Sequence, residues 1–337
     1  MLTSRPRVTL AMSDRTRAEL LTPPLLTRLH EVAQTDPAVL VQDFADPRHR
    51  ALLAGTDILL TGWGVPAVDG AALERMPRLG AIVHGAGSVK GFIGPGVFER
   101  GVLVSSAAAA NAVPVAEFTI AAIIFAAKRV TRFVHALRTH RAAGALDLAV
   151  TGVGGHGLTI GVVGASRIGR RVIAALHGLQ MSVLLADPTV DRADAATLGA
   201  DLVDLDELLH RANIVTLHAP SVPETRHLLD ARRLGLLSDG ATVINTARGA
   251  LIDTAALTAE LVSGRLDAVL DVTDPEPLPP DSPLFDLPNV LLTPHIAGAL
   301  GNEVTRLGEL AVTEIERLTA GLPLAHPVHA ADLERIA

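Results

Sequence analysis

Thr159-Ile160-Gly161-Val162-Val163-Gly164-Ala165-Ser166-Arg167-Ile168-Gly169-Arg170-Arg171 is the stretch that decides the fold. A short apolar run ends at a glycine, and a second glycine follows five residues later inside an apparent helix. The pattern reads as strand, tight turn and helix. Gly164 and Gly169 stand at the first and third positions of Gly-x-Gly-x-x-Gly. The first glycine allows the turn, and the third lets helix and strand pack closely. The helix N-terminus, with the N–H groups of Ser166, Arg167 and Ile168, then suits a pyrophosphate. The middle position is Ser166, whose side chain either crowds the phosphate or donates its hydroxyl to it; its small size favours donation. An ordinary helix-capping turn also explains this loop when it is taken alone.

Asp187 ends the next apolar run, Val183–Ala186, 18 residues after Gly169. A carboxylate there accepts from adenosine ribose hydroxyls and repels an extra phosphate, which favours NAD over NADP. Arg192 nearby reads as a surface charge. Further apolar runs at Leu158–Val163, Ser182–Ala186, Ile214–Leu217, Ala241–Ile244, Ala268–Val272 and Val290–Leu292 are expected strands. An earlier series, Val8–Met12, Ala38–Val41, Asp57–Leu60, Gly80–Val83 and Val102–Val104, repeats the pattern. Helical stretches such as Pro24–Ala33 and Val68–Arg75 lie between. Runs alternating with helices imply parallel βαβ units. A long helix is expected from near Pro114 to about Arg138, with Pro in its first turn. Its apolar middle suits a hinge, a subunit contact or an ordinary core helix. Arg141–His156 reads as a connection, and Glu303–Leu318 as a final helix.

Composition narrows the chemistry. The chain has 337 residues, no Cys, no Tyr and only Lys90 and Lys128 as lysines. Disulfides, thiolate nucleophiles, Cys-ligated metals and Tyr–Lys dyads are therefore excluded, and neither lysine lies in a Walker A frame. Acid–base work falls to His, Asp or Glu, with Arg as the fixed cation. Net charge is −7 with no basic block, so nucleic acid is not an expected partner. The N-terminus lacks the apolar segment of a signal peptide. The apolar stretch Thr119–Ala127 is shorter than the ~20 residues of a membrane span. A cytoplasmic protein with no membrane partner and no metal is expected.

Three polar groups follow later strands: Arg248 in Asn245–Gly249, Asp271 and Glu276 in Leu270–Pro277, and His295 in Thr293–Gly298. Ligands in open α/β sheets bind at such strand ends. Taken singly, Arg248 reads as a salt-bridge partner, His295 as structural and Glu276 as part of a solvated turn. Their recurrence at successive strand ends, beside a dinucleotide loop, favours a site.

On these residues the sequence resembles the D-isomer-specific 2-hydroxyacid dehydrogenase family. Asn111 with Val115-Ala116-Glu117, the Gly164–Gly169 loop, Asp187-Pro188, Asn213–Pro220 with Thr225, and the Arg248, Asp271–Glu276 and His295 segments carry the resemblance. It implies an α/β fold of two Rossmann-like or flavodoxin-like parallel-sheet domains. The NAD-binding domain, 113–302, is inserted into a discontinuous substrate domain, 1–112 and 303–337. It also implies a homodimer and NAD-dependent, reversible reduction of a 2-keto acid to a D-2-hydroxy acid. His295 then resembles the general acid/base, Glu276 its carboxylate partner, and Arg248 the residue that polarises the keto oxygen and holds the substrate carboxylate. Asp271 resembles the acceptor for the nicotinamide carboxamide. Ala219, Pro220 and Thr225 resemble positions lining adenine and phosphates, Thr246 and Ala247 backbone contacts on the nicotinamide side, and Gly298 a further cofactor-side residue. Backbone N–H groups of Ala86, Gly87 and Ser88 would hold the substrate carboxylate. Lys90 departs from the acidic residue common there, and either adds an anion contact or points to solvent. Trp63 either walls the substrate pocket or packs within its domain. Formate dehydrogenases of the same broad family resemble a Gln–His pair, which Glu276 with His295 does not match. The alternative from another class is an NAD(H)-sensing, corepressor-like binding protein of the same fold. Turnover of a 2-keto acid separates the two.

Overall fold

The computed structural model describes residues 5–141 and 152–333. Most of the expected connection Arg141–His156 lies outside the described residues. The chain divides into two compact units, Met1–Asn111 with Ala299–Ile336, and Ala112–Gly298. The second crossing falls at 298/299 rather than at the expected 302/303. Ala299 is buried with the first unit's core, and its N–H donates to Asn111 Oδ1 at 2.8 Å.

The first unit holds a four-stranded parallel sheet: β1 Val8–Ala11, β2 Ile58–Thr61, β3 Ala81–His84 and β4 Leu103–Ser106, in that order. Helices cover both faces, so these strands are near-continuous apolar runs. Alternate residues face opposite layers. Val8, Leu10, Ile58, Leu60, Ala81 and Val83 pack on one side, Ala11, Leu59 and Ile82 on the other. Ala38–Val41 is not a strand. Leu40 makes a single bridge to Leu10, and the ladder goes no further.

The second unit holds a seven-stranded parallel sheet. Its strands are β5 Thr159–Val163, β6 Ser182–Ala186, β7 Asp201–Leu202, β8 Ile214–Leu217, β9 Thr242–Asn245, β10 Asp267–Leu270 and β11 Val290–Leu292. The spatial order is β11-β10-β9-β8-β5-β6-β7. From β5 the chain first builds outward through β6 and β7, then crosses back to β8 and builds the other way. The order therefore reverses between β5 and β8, the position where such sheets open a crevice. The two-residue β7 was not apparent in the sequence.

The long apolar helix differs from expectation. It spans Ala108–Ala127 and carries Pro114 in its interior. Alanines 108–110 are strong helix formers and start it two turns before the proline. It stops well short of Arg138: Arg129 takes a left-handed conformation, φ 49°, and a separate helix follows over Val130–His140. At 20 residues, Ala108–Ala127 is long and apolar enough to cross a membrane by length and composition, contrary to the reading of Thr119–Ala127 alone. Ala116, Ala122, Ile123 and Ala127 pack in the second unit's core, while Ile124, Phe125, Val134 and Leu137 are exposed.

Candidate functional site

The turn after β5 is built by exclusion of side chains. Gly164 has φ +98°, and a Cβ there would lie 2.7 Å from the Ala219 nitrogen and 2.8 Å from the His218 carbonyl carbon. Only glycine lets the β5 and β8 strand ends approach in this way. A Cβ on Gly169 would overlap the Gly164 carbonyl oxygen, so helix Arg167–Leu176 seats directly on the turn. Ser166 caps that helix, its Oγ accepting from the Gly169 N–H at 3.3 Å. The cap uses the oxygen and leaves the hydroxyl proton to be donated outward, so capping and phosphate contact are compatible. The N–H groups of Arg167 and Ile168 lie in the first turn, ahead of the helical ladder.

Asp187 holds this turn from the end of β6. Its Oδ2 accepts from the Ala165 N–H at 2.7 Å, and its Oδ1 from the Thr189 N–H and hydroxyl at 2.8 and 2.7 Å. A carboxylate has about four acceptor positions, so capacity for a ribose hydroxyl is left. Beyond β8, the Thr225 hydroxyl donates to the Pro220 carbonyl at 2.6 Å and accepts from the Val222 N–H at 3.0 Å. It braces the Ala219–Thr225 loop. His218 is buried between these segments and bonds Thr216 Oγ1 through Nε2 at 3.0 Å, while Nδ1 has no partner. Burial pushes its pKa down to about 3. A narrow turn with glycine at its two points of closest approach, a helix N-terminus and a carboxylate on the adjacent strand fit a dinucleotide.

Arg248 follows β9 in a loop fixed by two residues. Asn245, fully buried, accepts from the Ala247 N–H at 3.0 Å and donates Nδ2–H to the Arg248 carbonyl at 2.9 Å. Thr119 donates to the Val115 carbonyl at 2.8 Å and lies 3.0 Å from the Thr246 hydroxyl. With the Thr119 proton so used, Thr246 donates to Thr119 and the loop is anchored on helix Ala108–Ala127. A Cβ on Gly249 would overlap the Thr273 carbonyl, so the loops after β9 and β10 touch. Burial lowers the Arg248 pKa, and the Glu276 carboxylate opposes that shift. The guanidinium stays charged.

Asp271, 2% exposed, organises the last segment. Its Oδ1 accepts from the Thr293 hydroxyl at 2.6 Å and the Ile296 N–H at 2.8 Å, and its Oδ2 from the Ala297 N–H at 2.9 Å. The His295 N–H donates to the Asp271 carbonyl at 2.9 Å. These bonds hold His295 in a left-handed conformation, φ 55°, which costs a non-glycine residue about 1–2 kcal/mol. His295 Nδ1 then meets Glu276 Oε1 at 2.7 Å, with both side chains roughly half exposed. The Glu276–Pro277 bond, like Asp274–Pro275, is cis. Arg248, Asp271, Glu276 and His295 thus gather at neighbouring strand ends of one unit. Asn245, Thr119 and Thr293 position them. Sequence reasoning had named none of these three as site residues; a buried Asn directly before the Arg248 loop was the available signal. Gly298 closes the same segment at the unit boundary.

The loop Ala86-Gly87-Ser88 belongs to the first unit. The Ala86 carbonyl accepts from the Ala107 N–H at 3.0 Å, and the Lys90 N–H donates to Ser88 Oγ at 3.4 Å. Beneath it, buried His84 bonds Thr61 Oγ1 through Nδ1 at 2.8 Å and lies 4.7 Å, centroid to centroid, from the Phe92 ring. Burial pushes the His84 pKa down to about 4, against a backbone hydrogen bond with Ser88. The Lys90 side chain is exposed, and Trp63 is 42% exposed.

The family model described as D-isomer specific 2-hydroxyacid dehydrogenase, NAD binding domain, matches residues 120–297. The chain belongs to the D-isomer-specific 2-hydroxyacid dehydrogenase family. The second unit is the NAD-binding domain of this family, and NAD is its cofactor. A glyoxylate reductase of Thermofilum pendens is 34% identical over 262 residues, 75% of this chain and 76% of that one. A D-3-phosphoglycerate dehydrogenase of Archaeoglobus fulgidus is 33% identical over 237 residues, 70% of this chain and 44% of that one. The chain thus spans about half the length of the phosphoglycerate dehydrogenases it matches. Among solved structures, D-mandelate dehydrogenase of Rhodotorula graminis in its apo form has a TM-score of 0.79 at 25% identity, covering 96% of this chain and 98% of that one.

Proposed function

We propose that this family member catalyses NAD-dependent, reversible reduction of a small 2-keto acid to a D-2-hydroxy acid, with His295 as general acid/base. The Glu276–His295 pair at 2.7 Å, electrostatically coupled to Arg248, carries the reading. When bound, NADH supplies the hydride that reduces the keto carbon. Arg248 holds the substrate carboxylate and polarises the keto oxygen, tasks suited to a bidentate guanidinium. Glu276 occupies His295 Nδ1, which leaves Nε2 as the ring nitrogen that gives a proton to the developing alkoxide. The same nitrogen removes it from the hydroxyl in the reverse direction. The contact with Glu276 also fixes the orientation of the imidazole ring.

The proposed cofactor contacts are the backbone and side chains of Gly164, Ser166, Arg167, Ile168 and Gly169 at the phosphates, and Asp187 at the ribose. Ala219, Pro220 and Thr225 serve the adenine and phosphate side. Thr246, Ala247, Asp271 and Gly298 serve the nicotinamide side. Asp271 has about one acceptor position left beyond its three protein donors. The N–H groups of Ala86, Gly87 and Ser88 are the proposed carboxylate contacts of the first unit, the substrate domain. Relatives named for glyoxylate, 3-phosphoglycerate and mandelate support a small hydroxy or keto acid as substrate. A cytoplasmic homodimer completes the proposal, with exposed Ile124, Phe125, Val134 and Leu137 as its contact.

Oxidation of NADH over a panel of 2-keto acids tests the reading, with NADPH in parallel. His295→Ala is expected to lower kcat by ~10²–10⁴, the usual loss of a general acid/base. Full turnover by that variant would reject the assignment.

A further inference from the structure

Glu276 stands in a turn short of backbone donors. The turn, Thr273-Asp274-Pro275-Glu276-Pro277, follows β10, and its two prolines carry no N–H. The carbonyls ahead of Glu276 draw their donors from side chains instead. The Pro275 carbonyl accepts from the Thr273 hydroxyl at 2.8 Å, within the turn itself. The Asp274 carbonyl accepts from the Thr254 hydroxyl at 2.6 Å, 20 residues away in sequence.

Thr254 opens helix Thr254–Val262, shortly after the loop that carries Arg248. The helix itself has no need of this hydroxyl. Asp253 caps it, accepting from the Ala256 N–H at 3.1 Å, and threonine is a weaker helix former than the alanines that follow. A helical threonine commonly turns its hydroxyl back onto its own helix, as Thr258 does to the Thr254 carbonyl at 2.7 Å. Thr254 sends its proton to the Glu276 turn.

Two other contacts converge there. Gly249 leaves no room for a Cβ beside the Thr273 carbonyl. Arg226, from the loop after β8, pairs with the Asp274 carboxylate at 3.4 Å, but both side chains are largely exposed and such a pair contributes little. The half-buried Thr254 bond is the one that ties the turn to a helix by a directed contact. Two residues beyond the carbonyl it holds, the Glu276 carboxylate meets His295 Nδ1 at 2.7 Å. The Glu276 side chain is itself roughly half exposed, so the backbone of the turn does more than packing to place that carboxylate.

We propose that Thr254 is a positioning residue for proton transfer, its hydroxyl fixing the turn that sets Glu276 against His295. The proposal rests on the dehydrogenase function proposed above, with His295 as general acid/base.

The test is NADH-dependent reduction of glyoxylate, pyruvate and phenylpyruvate, in H2O and D2O, by wild type, Thr254→Val and Thr254→Ser. The Thr254→Val change is also made in a Glu276→Ala background. Losing one neutral hydrogen bond is expected to lower kcat about 3- to 10-fold in Thr254→Val. KM for the keto acid and NADH affinity by fluorescence titration should stay within about twofold. The solvent isotope effect on kcat should exceed that of wild type, because proton transfer is the step slowed. Thr254→Ser should restore at least about half of the wild-type kcat. With Glu276 already removed there is no carboxylate left to place, so Thr254→Val should then cost less than about twofold. An unchanged kcat in Thr254→Val would overturn the proposal, and so would the same loss in the Glu276→Ala background. Thr254→Ala, which lacks the hydroxyl and suits a helix, carries the same test where the valine variant does not fold. Absence of turnover by wild type on every acid, with NADH still bound, would instead reject the dehydrogenase reading and this inference with it.

Discussion

Thr293→Val isolates the contact that seats the proton-transfer segment. The Thr293 hydroxyl donates to buried Asp271 Oδ1 at 2.6 Å, and the same carboxylate carries the Ile296 and Ala297 N–H groups. A hydrogen bond to a charged acceptor contributes about 1.5–3 kcal/mol. Valine keeps the shape and returns up to about 0.8 kcal/mol through its extra apolar carbon. The expected net loss is about 1–2 kcal/mol. For a domain of this size that lowers Tm by about 2–8 °C. If the whole cost appears as displacement of the loop, kcat falls about 5- to 30-fold. The side chain is not among the proposed cofactor contacts, so NADH affinity should hold within about twofold. Urea unfolding, NADH fluorescence titration and steady-state turnover measure the three quantities. An unchanged unfolding midpoint together with unchanged kcat would show that Asp271 does not depend on this donor to place His295.

Gly169→Ala pushes a methyl into the Gly164 carbonyl oxygen; a loss of about 1–3 kcal/mol in urea unfolding and at least about tenfold in NADH affinity is expected. Glu276→Gln keeps an acceptor but removes the charge beside His295, and should lower kcat at least about tenfold with little change in unfolding midpoint. Buried His84, with its pKa depressed to about 4, is expected to make the first unit less stable in acid. The unfolded chain binds the extra proton below pH 6.5. Stability should therefore fall by up to about 1.4 kcal/mol per pH unit from there down to about pH 4. His84→Asn should flatten that slope in urea unfolding at pH 7, 6 and 5; an unaltered slope would remove His84 as its source.

The strands at Ser182–Ala186, Ile214–Leu217 and Val290–Leu292 were legible with their bounds, because compact apolar runs there end abruptly in polar residues. Ala38–Val41 has the same composition but pairs at one residue only, and pairing is a property of the neighbour. Asp201–Leu202 has no apolar run to reveal it. Pro114 misled because a rule for first turns was applied to a helix already begun by alanines. In the site, Arg248, Asp271, Glu276 and His295 were legible from their strand-end positions. The supports were not. Thr119 and Thr246 are 127 residues apart, and no local pattern announces their contact. Asp271 was read for a ligand, whereas its carboxylate first serves the loop that carries His295.

The two units also differ in when they can be completed during synthesis. The NAD-binding unit is one continuous stretch, Ala112–Gly298, and all seven of its strands have been made once Gly298 leaves the ribosome. The first unit is begun earlier and finished later. Helix Val304–Thr319 supplies Val304, Leu307, Ala311, Val312 and Ile315 to one face of its sheet. Until that helix emerges, Leu10, Leu60 and Val83 lack part of their cover, and nearly two hundred residues must be translated in between. Translation order thus favours a finished cofactor fold beside a sheet still open on one face, the stage at which a nascent chain is most in need of shielding.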